Sequence, residues 1–233
     1  MIDLLRDDSQ IVRFQAIQGL GQFGVSDHRV VPAVLATLKD NQSGIRTNAI
    51  SALAEIGPAA ETAVSHLVPF LQTDDDWIAA KALGNIGPKA EAALPALDDL
   101  MRRSKGYARL NAAEAVWRIG RNADVAVDGL IASLHDEFAP IRRDAAVILG
   151  TIGPPVKDAL PALEKMRDYI PAGREPSPER ENADLPIVRE MTEAEFYPQI
   201  RIAVSDTIPK IARRENRRQL DDSRKGPTGT LSQ

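Results

Sequence analysis

The residues whose types could do chemistry here are histidines, carboxylates and arginines, and their spacing decides what chemistry that is. The 233-residue chain has three histidines, His28, His66 and His135, and no cysteine. The histidines lie far apart, with no His-x-x-x-His or His-Glu pair, so none of them opens a metal site. Without cysteine there is no disulfide, thiolate ligand or cysteine nucleophile, and the redox compartment stays open. No Ser-His-Asp arrangement is readable from order or spacing, and no Gly-rich phosphate loop is present. Paired carboxylates recur, but at positions expected on exposed helix faces, where a solvated role is the default. The expectation is a chain without catalytic residues, metal or cofactor.

Two charged patterns are regular. Arginines recur at Arg13, Arg46, Arg109, Arg142 and Arg201; six residues earlier stand Asp7, Asp40, Asp136 and Glu195, with Arg103 as the one reversal. Such a row could bind phosphates. The preferred reading is a structural ladder. A carboxylate before a helix accepts from its free N–H groups and favours the positive dipole end, while the arginine pairs with carboxylates of its own or the adjacent repeat. The third repeat departs: 15 positions separate Leu71 from Ile86, against 18 between Leu38 and Ile56, and Asp76 of the run Asp74–Asp76 takes the arginine's place. A tight turn with an acidic cap is predicted there, since three adjacent aspartates are a poor metal site unless other oxygen ligands converge.

The elements that position these residues are repeats. GLGQFG, ALAEIG, ALGNIG, AVWRIG and ILGTIG end at Gly24, Gly57, Gly87, Gly120 and Gly153, spaced by 33, 30, 33 and 33. A sixth copy, TIPKIA, ends at Ala212 after an insertion. Ile45, Ala49, Ala52, Leu53 and Ile56 share one face of a 3.6-residue helix. The glycine after it suits a helix stop, and Pro58, Pro88 and Pro154 forbid continuation. Shorter apolar runs follow, with Pro32, Pro95 and Pro161 eight residues past the glycine, at the predicted first turn of the next helix. The unit is helix, turn, helix. Such hairpins bury their apolar faces only by stacking, and Ala16, Ala49, Ala79, Ala112 and Ala145 let neighbours approach closely. Leu5 aligns with Leu38, so the first repeat keeps a stub of its first helix, and no polar end cap is legible.

The pairing of apolar-Arg-x-x-Ala with Ala-Leu-Gly-x-Ile-Gly-Pro resembles the HEAT-repeat family, in particular the bacterial phycobilisome-lyase HEAT-like repeat. The resemblance covers roughly residues 4–169 and 196–213. It implies an all-α, right-handed α–α superhelix of about six hairpins, with a single domain over 1–213. It also implies use of the aspartate and arginine positions as a ladder inside the stack. Function follows from it weakly, because packing residues define the family. A scaffold or adaptor, or a structural subunit of a larger complex, is the first expectation. A phycobilin-lyase-type accessory factor is the alternative, and nucleic-acid binding the third. The iron-binding His-Glu pairs of the related deoxyhypusine hydroxylases are missing from this sequence.

The binding surface is expected on the second helices, opposite the core. That strip runs through Phe14, Gln18, Thr47, Ser51, Trp77, Lys81, Leu110, Glu114, Arg143, Val147, Ile202 and Asp206. Its charges nearly cancel and the chain's net charge is −4, which argues against nucleic acid. Phe14, Trp77, Leu110 and Trp117 are the candidate anchors; Trp117 stands where other repeats have Gly21, Ala54, Gly84 and Gly150. The proline-rich stretch 168–198 interrupts the last repeat, and its Leu185, Ile187, Phe196 and Tyr197 are apolar enough to dock on a partner. Lys210, Arg213, Arg214, Arg217 and Arg218 suit a helix C-terminus and offer a contact to an acidic partner. Residues 214–233 read as a polar, disordered tail. No apolar run reaches the roughly 20 residues a membrane span needs. The start lacks a signal-peptide layout, so a cytoplasmic protein is expected, though an upstream leader would be invisible here.

Overall fold

A computed structural model describes residues 1–23, 27–152, 158–169 and 202–211. All regular structure among them is helical. The chain forms two compact units, Met1–Gly129 and Leu130–Gln233. In the first, a 3-10 turn at Ile2–Arg6 leads into α1 (Gln10–Phe23), and α2 (Val30–Thr37) leads into α3 (Ser43–Ile56). Next, α4 (Val64–Leu67), flanked by 3-10 segments Gly57–Ala63 and Val68–Gln72, leads into α5 (Asp76–Ile86). The 3-10 segment Gly87–Ala93 and α6 (Leu94–Arg103) precede α7 (Gly106–Gly120). Helix α8 is Ala123–Ser133, and the second unit contains α9 (Ala139–Ile152), α10 (Leu160–Tyr169) and α11, residues 202–211.

Within the first unit the second helix of each hairpin packs on that of the next: α1 on α3, α3 on α5, α5 on α7. The helical spacing of apolar residues is what buries them. Ile45, Ala49 and Leu53 are fully buried on α3, as are Ala79, Leu83 and Ile86 on α5. Small residues set the helix separation. A Cβ added at Gly21 would lie 2.9 Å from the Ala52 Cα, and one at Gly84 3.0 Å from the Ala115 Cα. In the second unit a Cβ at Gly150 would meet the Thr207 side chain, whose hydroxyl donates to the Ala146 carbonyl at 3.0 Å.

The helix stops differ from one repeat to the next. Gly57 (φ 64°, ψ −131°) and Gly87 (φ 76°, ψ −146°) adopt a conformation that a side chain would strain. Gly120 instead closes α7 in helical geometry, and the left-handed conformation passes to Arg121 (φ 53°). Gly24 and Gly153 lie outside the described residues. After Gly57 and Gly87 the chain turns directly into 3-10 helix, several residues earlier than the apolar runs starting at Val64 and Leu94 predict. Pro58 and Pro88 supply the fixed φ of a first helical turn, and kinks at Ala60 and Ala90 join that turn to the α segment.

The outward row of α1 is the edge for which the sequence shows no polar cap. On α3, Asn48 and Ala52 are the residues that meet α1. Their counterparts 33 residues earlier on α1 are Gln15 and Gly19. Gln15 and, about two turns on, Gln22 are exposed polar side chains, Ile11 and Phe23 are 70% and 80% exposed, and the Met1 sulfur lies 3.0 Å from a Cβ position at Gly19. This row is mixed, with apolar Ile11 and Phe23 open towards its two ends and one methionine folded over its glycine.

Candidate partner-binding face

The arginine ladder holds hairpins together through backbone as well as carboxylate. Arg13 donates from Nη1 to the carbonyls of Asp7 (3.0 Å) and Asp8 (3.1 Å), and from Nε to Asp40 of the next repeat at 3.0 Å. Arg46 donates to the Asp40 carbonyl at 2.9 Å, Arg109 to Ser104 at 2.8 Å, and Arg142 to Asp136 and Glu137 at 2.8 Å each. These carbonyls follow the ends of first helices, where main-chain acceptors lack helical partners. The aspartates do something other than the expected capping. Asp7, Asp40 and Asp136 accept from the N–H groups of Ser9, Gln42 and Phe138, at 2.8, 2.9 and 3.0 Å. Those amides precede the helices, so the carboxylates close the turn rather than cap it. Glu195 and Arg201 lie outside the described residues.

In the third repeat the polarity of the rung is reversed. Asp76 stands in the arginine position and Arg103 of the following repeat in the aspartate position. Arg103 reaches back to the Leu71 carbonyl of the preceding repeat. Burial pushes the Asp76 carboxyl above its ordinary pKa; the charges of Asp74 and Asp75 add to this, while the Trp77 N–H and Arg103 oppose it. Asp75 is the residue before α5, but its carboxylate makes no cap and instead accepts from the Thr47 hydroxyl at 2.6 Å. The predicted acidic cap is thus a link between repeats.

One residue beyond each rung lies the strip expected to face a partner. Phe14 is 42% exposed and Trp77 40%. Thr47 and Ser51, between them in repeat order, are half-buried, and Gln18 and Lys81 are exposed. Leu110 departs from the expectation: it is 3% exposed, a core residue. Helix α7 packs against both α5 and α6, and Leu110 lies within its packing rather than on its free side. Trp117 is half-buried, and the Arg121 guanidinium sits 5.2 Å from its ring centre. In the second unit, Val147 and Ile202 are exposed. Leu185, Ile187, Phe196, Tyr197, Arg213, Arg214, Arg217 and Arg218 lie outside the described residues; Lys210 is exposed.

Sequence reasoning missed the asparagines that tie this face together. Asn48 donates to the Phe14 carbonyl at 2.9 Å, and Asn111 to the Trp77 carbonyl at 2.8 Å. Both stand two residues after a ladder arginine, a shared register that was legible. Asn85 donates to the Ala54 carbonyl at 3.1 Å and accepts from Arg118 at 2.6 Å. The three histidines are exposed and separate, and among the described residues no acidic or histidine group could hold a metal ion. No helix among them is long and apolar enough to cross a membrane.

The first unit thus combines a register of small residues at helix contacts with an Arg13-to-Asp40 link between neighbouring repeats. Residues 1–80 match the family described as HEAT repeats. No curated protein matches the sequence. Among solved structures, a designed armadillo repeat protein is similar at 16% identity and TM-score 0.52, over 90% of this chain and 98% of that one. An engineered protein is similar at 17% identity and TM-score 0.51, over 91% and 95%. The complex of CpcE and CpcF of phycocyanin lyase from Nostoc sp. PCC7120 gives 19% identity and TM-score 0.43, over 87% and 92%. The first two show the fold alone, an all-α repeat solenoid of the armadillo and HEAT-like class.

Proposed function

We propose that this chain is a non-catalytic protein-binding scaffold whose second-helix face in the first unit receives a partner. The observation that carries this reading is the exposure of Phe14 on α1 and Trp77 on α5 in the same repeat register, with half-buried Thr47 and Ser51 of α3 between them in repeat order. The stacking faces of the same helices are closed by alanine and glycine. An aromatic side chain held on a rigid helix loses little entropy on binding and anchors an interface with about 2 kcal/mol or more. Mixed charge along the strip within the first unit, with Lys81 and Glu114, favours a protein over a nucleic acid. Computationally designed armadillo repeat proteins for modular peptide recognition share the fold, at 17% identity and TM-score 0.50, which supports the use of such a stack as a recognition surface.

The test is affinity purification of the full chain from its native cells, compared with Trp77→Ala and Phe14→Ala. Recovery of the main co-purifying protein is expected to fall about tenfold or more with an unchanged melting temperature. Undiminished recovery by both variants overturns the reading. The repeat motif itself supports a second reading, a lyase-type accessory factor; visible absorbance of the chain purified with bilin separates the two.

A further inference from the structure

The side of α1 facing away from α3 is a second open surface of the first unit. Inside the stack, α3 meets α1 through an amide and a small residue: Asn48 donates to the Phe14 carbonyl, and Ala52 lies against Gly21. Helix α1 carries the equivalent pair 33 residues earlier, Gln15 and Gly19. In this fold such a row is one that another helix packs against. Apolar side chains accompany it: Ile11 and Phe23 at its two ends, and between them Met1, 60% exposed, over Gly19. Methionine is flexible enough to fill an irregular gap at a contact.

Charge narrows the choice of helix. Arg13 is the one charged residue of α1, and the ladder holds it, through the Asp7 and Asp8 carbonyls and the Asp40 carboxylate. The open row of α1 is therefore neutral, so it does not repel a copy of itself and does not select a basic or acidic partner. Gln15 and Gln22 each offer donor and acceptor, and such amides can satisfy one another across a two-fold axis. The order of the row is self-complementary too. Two antiparallel α1 helices centred midway between Ile11 and Phe23 bring Ile11 of one level with Phe23 of the other, and Gln15 level with Gly19. Their dipoles then run in opposite directions, the favourable arrangement for a close pair. We propose that this edge is an isologous contact between two copies of the chain, α1 against α1 in antiparallel pairing, with Ile11, Phe23 and Met1 as its apolar residues. One pair of 14-residue helices is smaller than the roughly 1,200 Å² of a standard interface, so the dimer is a weak one, formed at micromolar concentration.

The experiment is analytical ultracentrifugation of the full chain from about 1 µM to about 1 mM. A monomer–dimer equilibrium is expected. Its Kd should rise about tenfold or more when Ile11→Lys and Phe23→Lys are combined, and equally when Ile11→Glu and Phe23→Glu are combined, with the melting temperature unchanged. An equimolar mixture of these two double variants should recover the dimer, because opposite charges then stand level across the contact. Direction is read by cross-linking, since the chain has no cysteine of its own. Ile11→Cys mixed with Phe23→Cys should link through a short bismaleimide. Ile11→Cys alone should not, because its two copies lie about 18 Å apart along the helix axis. A chain that stays monomeric up to about 1 mM overturns the proposal. A dimer indifferent to both double variants overturns it as well, and so does Ile11→Cys linking to itself as readily as to Phe23→Cys.

Discussion

Arg13 does more than Arg46 in the ladder, and the difference is measurable. It bonds two carbonyls of its own repeat and pairs through two nitrogens with Asp40 of the next, with both side chains about 15% exposed or less. Arg46 donates to the Asp40 carbonyl. Hydrogen bonds to charged partners contribute about 1.5–3 kcal/mol and are costly to leave half made. Arg13→Ala is therefore expected to cost about 2 kcal/mol and Arg46→Ala about 1, by urea denaturation, with partner binding unchanged for both. Equal losses would mean the inter-repeat pair contributes nothing. Asp76 gives a prediction of opposite sign. Its carboxyl titrates above the ordinary 3.8, chiefly through burial. The folded chain then holds that proton more tightly than the unfolded chain, so stability falls as pH rises from 3.8 through the folded value. Asp76→Asn is expected to stabilise the chain at pH 7 by no more than about 1 kcal/mol, because the group is half exposed and screened. The gain should vanish at about pH 3. A variant less stable than wild type at pH 7 would show the carboxylate to be held by a favourable contact.

At the scale of elements, glycines that look alike in the repeat have different jobs. Gly87 stops α5 at φ 76°, ψ −146°, with open space around a Cβ, so any penalty for alanine there comes from backbone conformation. Gly120 sits in helical geometry, and its added Cβ would meet only the Leu94 side chain, 3.2 Å from Cδ1. Strain of this type costs about 1–3 kcal/mol. Alanine in a helix gains up to about 1 kcal/mol over glycine. Gly87→Ala should thus lower stability by about 1–3 kcal/mol, while Gly120→Ala stays within about 1 kcal/mol of wild type in either direction. Comparable losses at both would place the left-handed residue of the fourth repeat at Gly120 and not at Arg121. The repeat register could not separate these two glycines, because it records where a helix ends and not which residue absorbs the reversal.

At the scale of the whole chain, what was legible is what stacking repeats must share. The apolar period, the small contact residues and the glycine stops each recur about 33 residues apart in five copies, so they reinforce one reading. What was not legible depends on how deeply one helix covers another. Leu110 and Trp77 hold the same register position, yet one is buried and the other open. The connection before α5 is three residues shorter, so α5 begins at the rung residue itself and leaves Trp77 in its first turn. Helix α7 begins three residues ahead of its rung, as α1 does, yet Leu110 is buried and Phe14 open; what differs is the cover α7 receives from α5 and α6 together. A stack of this kind owes its stability to each repeat and its neighbours, so a run of complete hairpins should stand without the rest. The first unit has its own fully buried residues on successive second helices, Ile17, Leu53 and Leu83, beside Leu67 and Leu97 from first helices. Residues 1–133, cut after α8 rather than within it, are expected to fold alone, with a helical circular dichroism spectrum and a cooperative melt. Leu83→Ala in that fragment should cost about 2–5 kcal/mol, the loss expected for a fully enclosed leucine. A fragment that is helical but melts without a transition, and is indifferent to Leu83→Ala, would show that its core is completed only by the remainder of the chain.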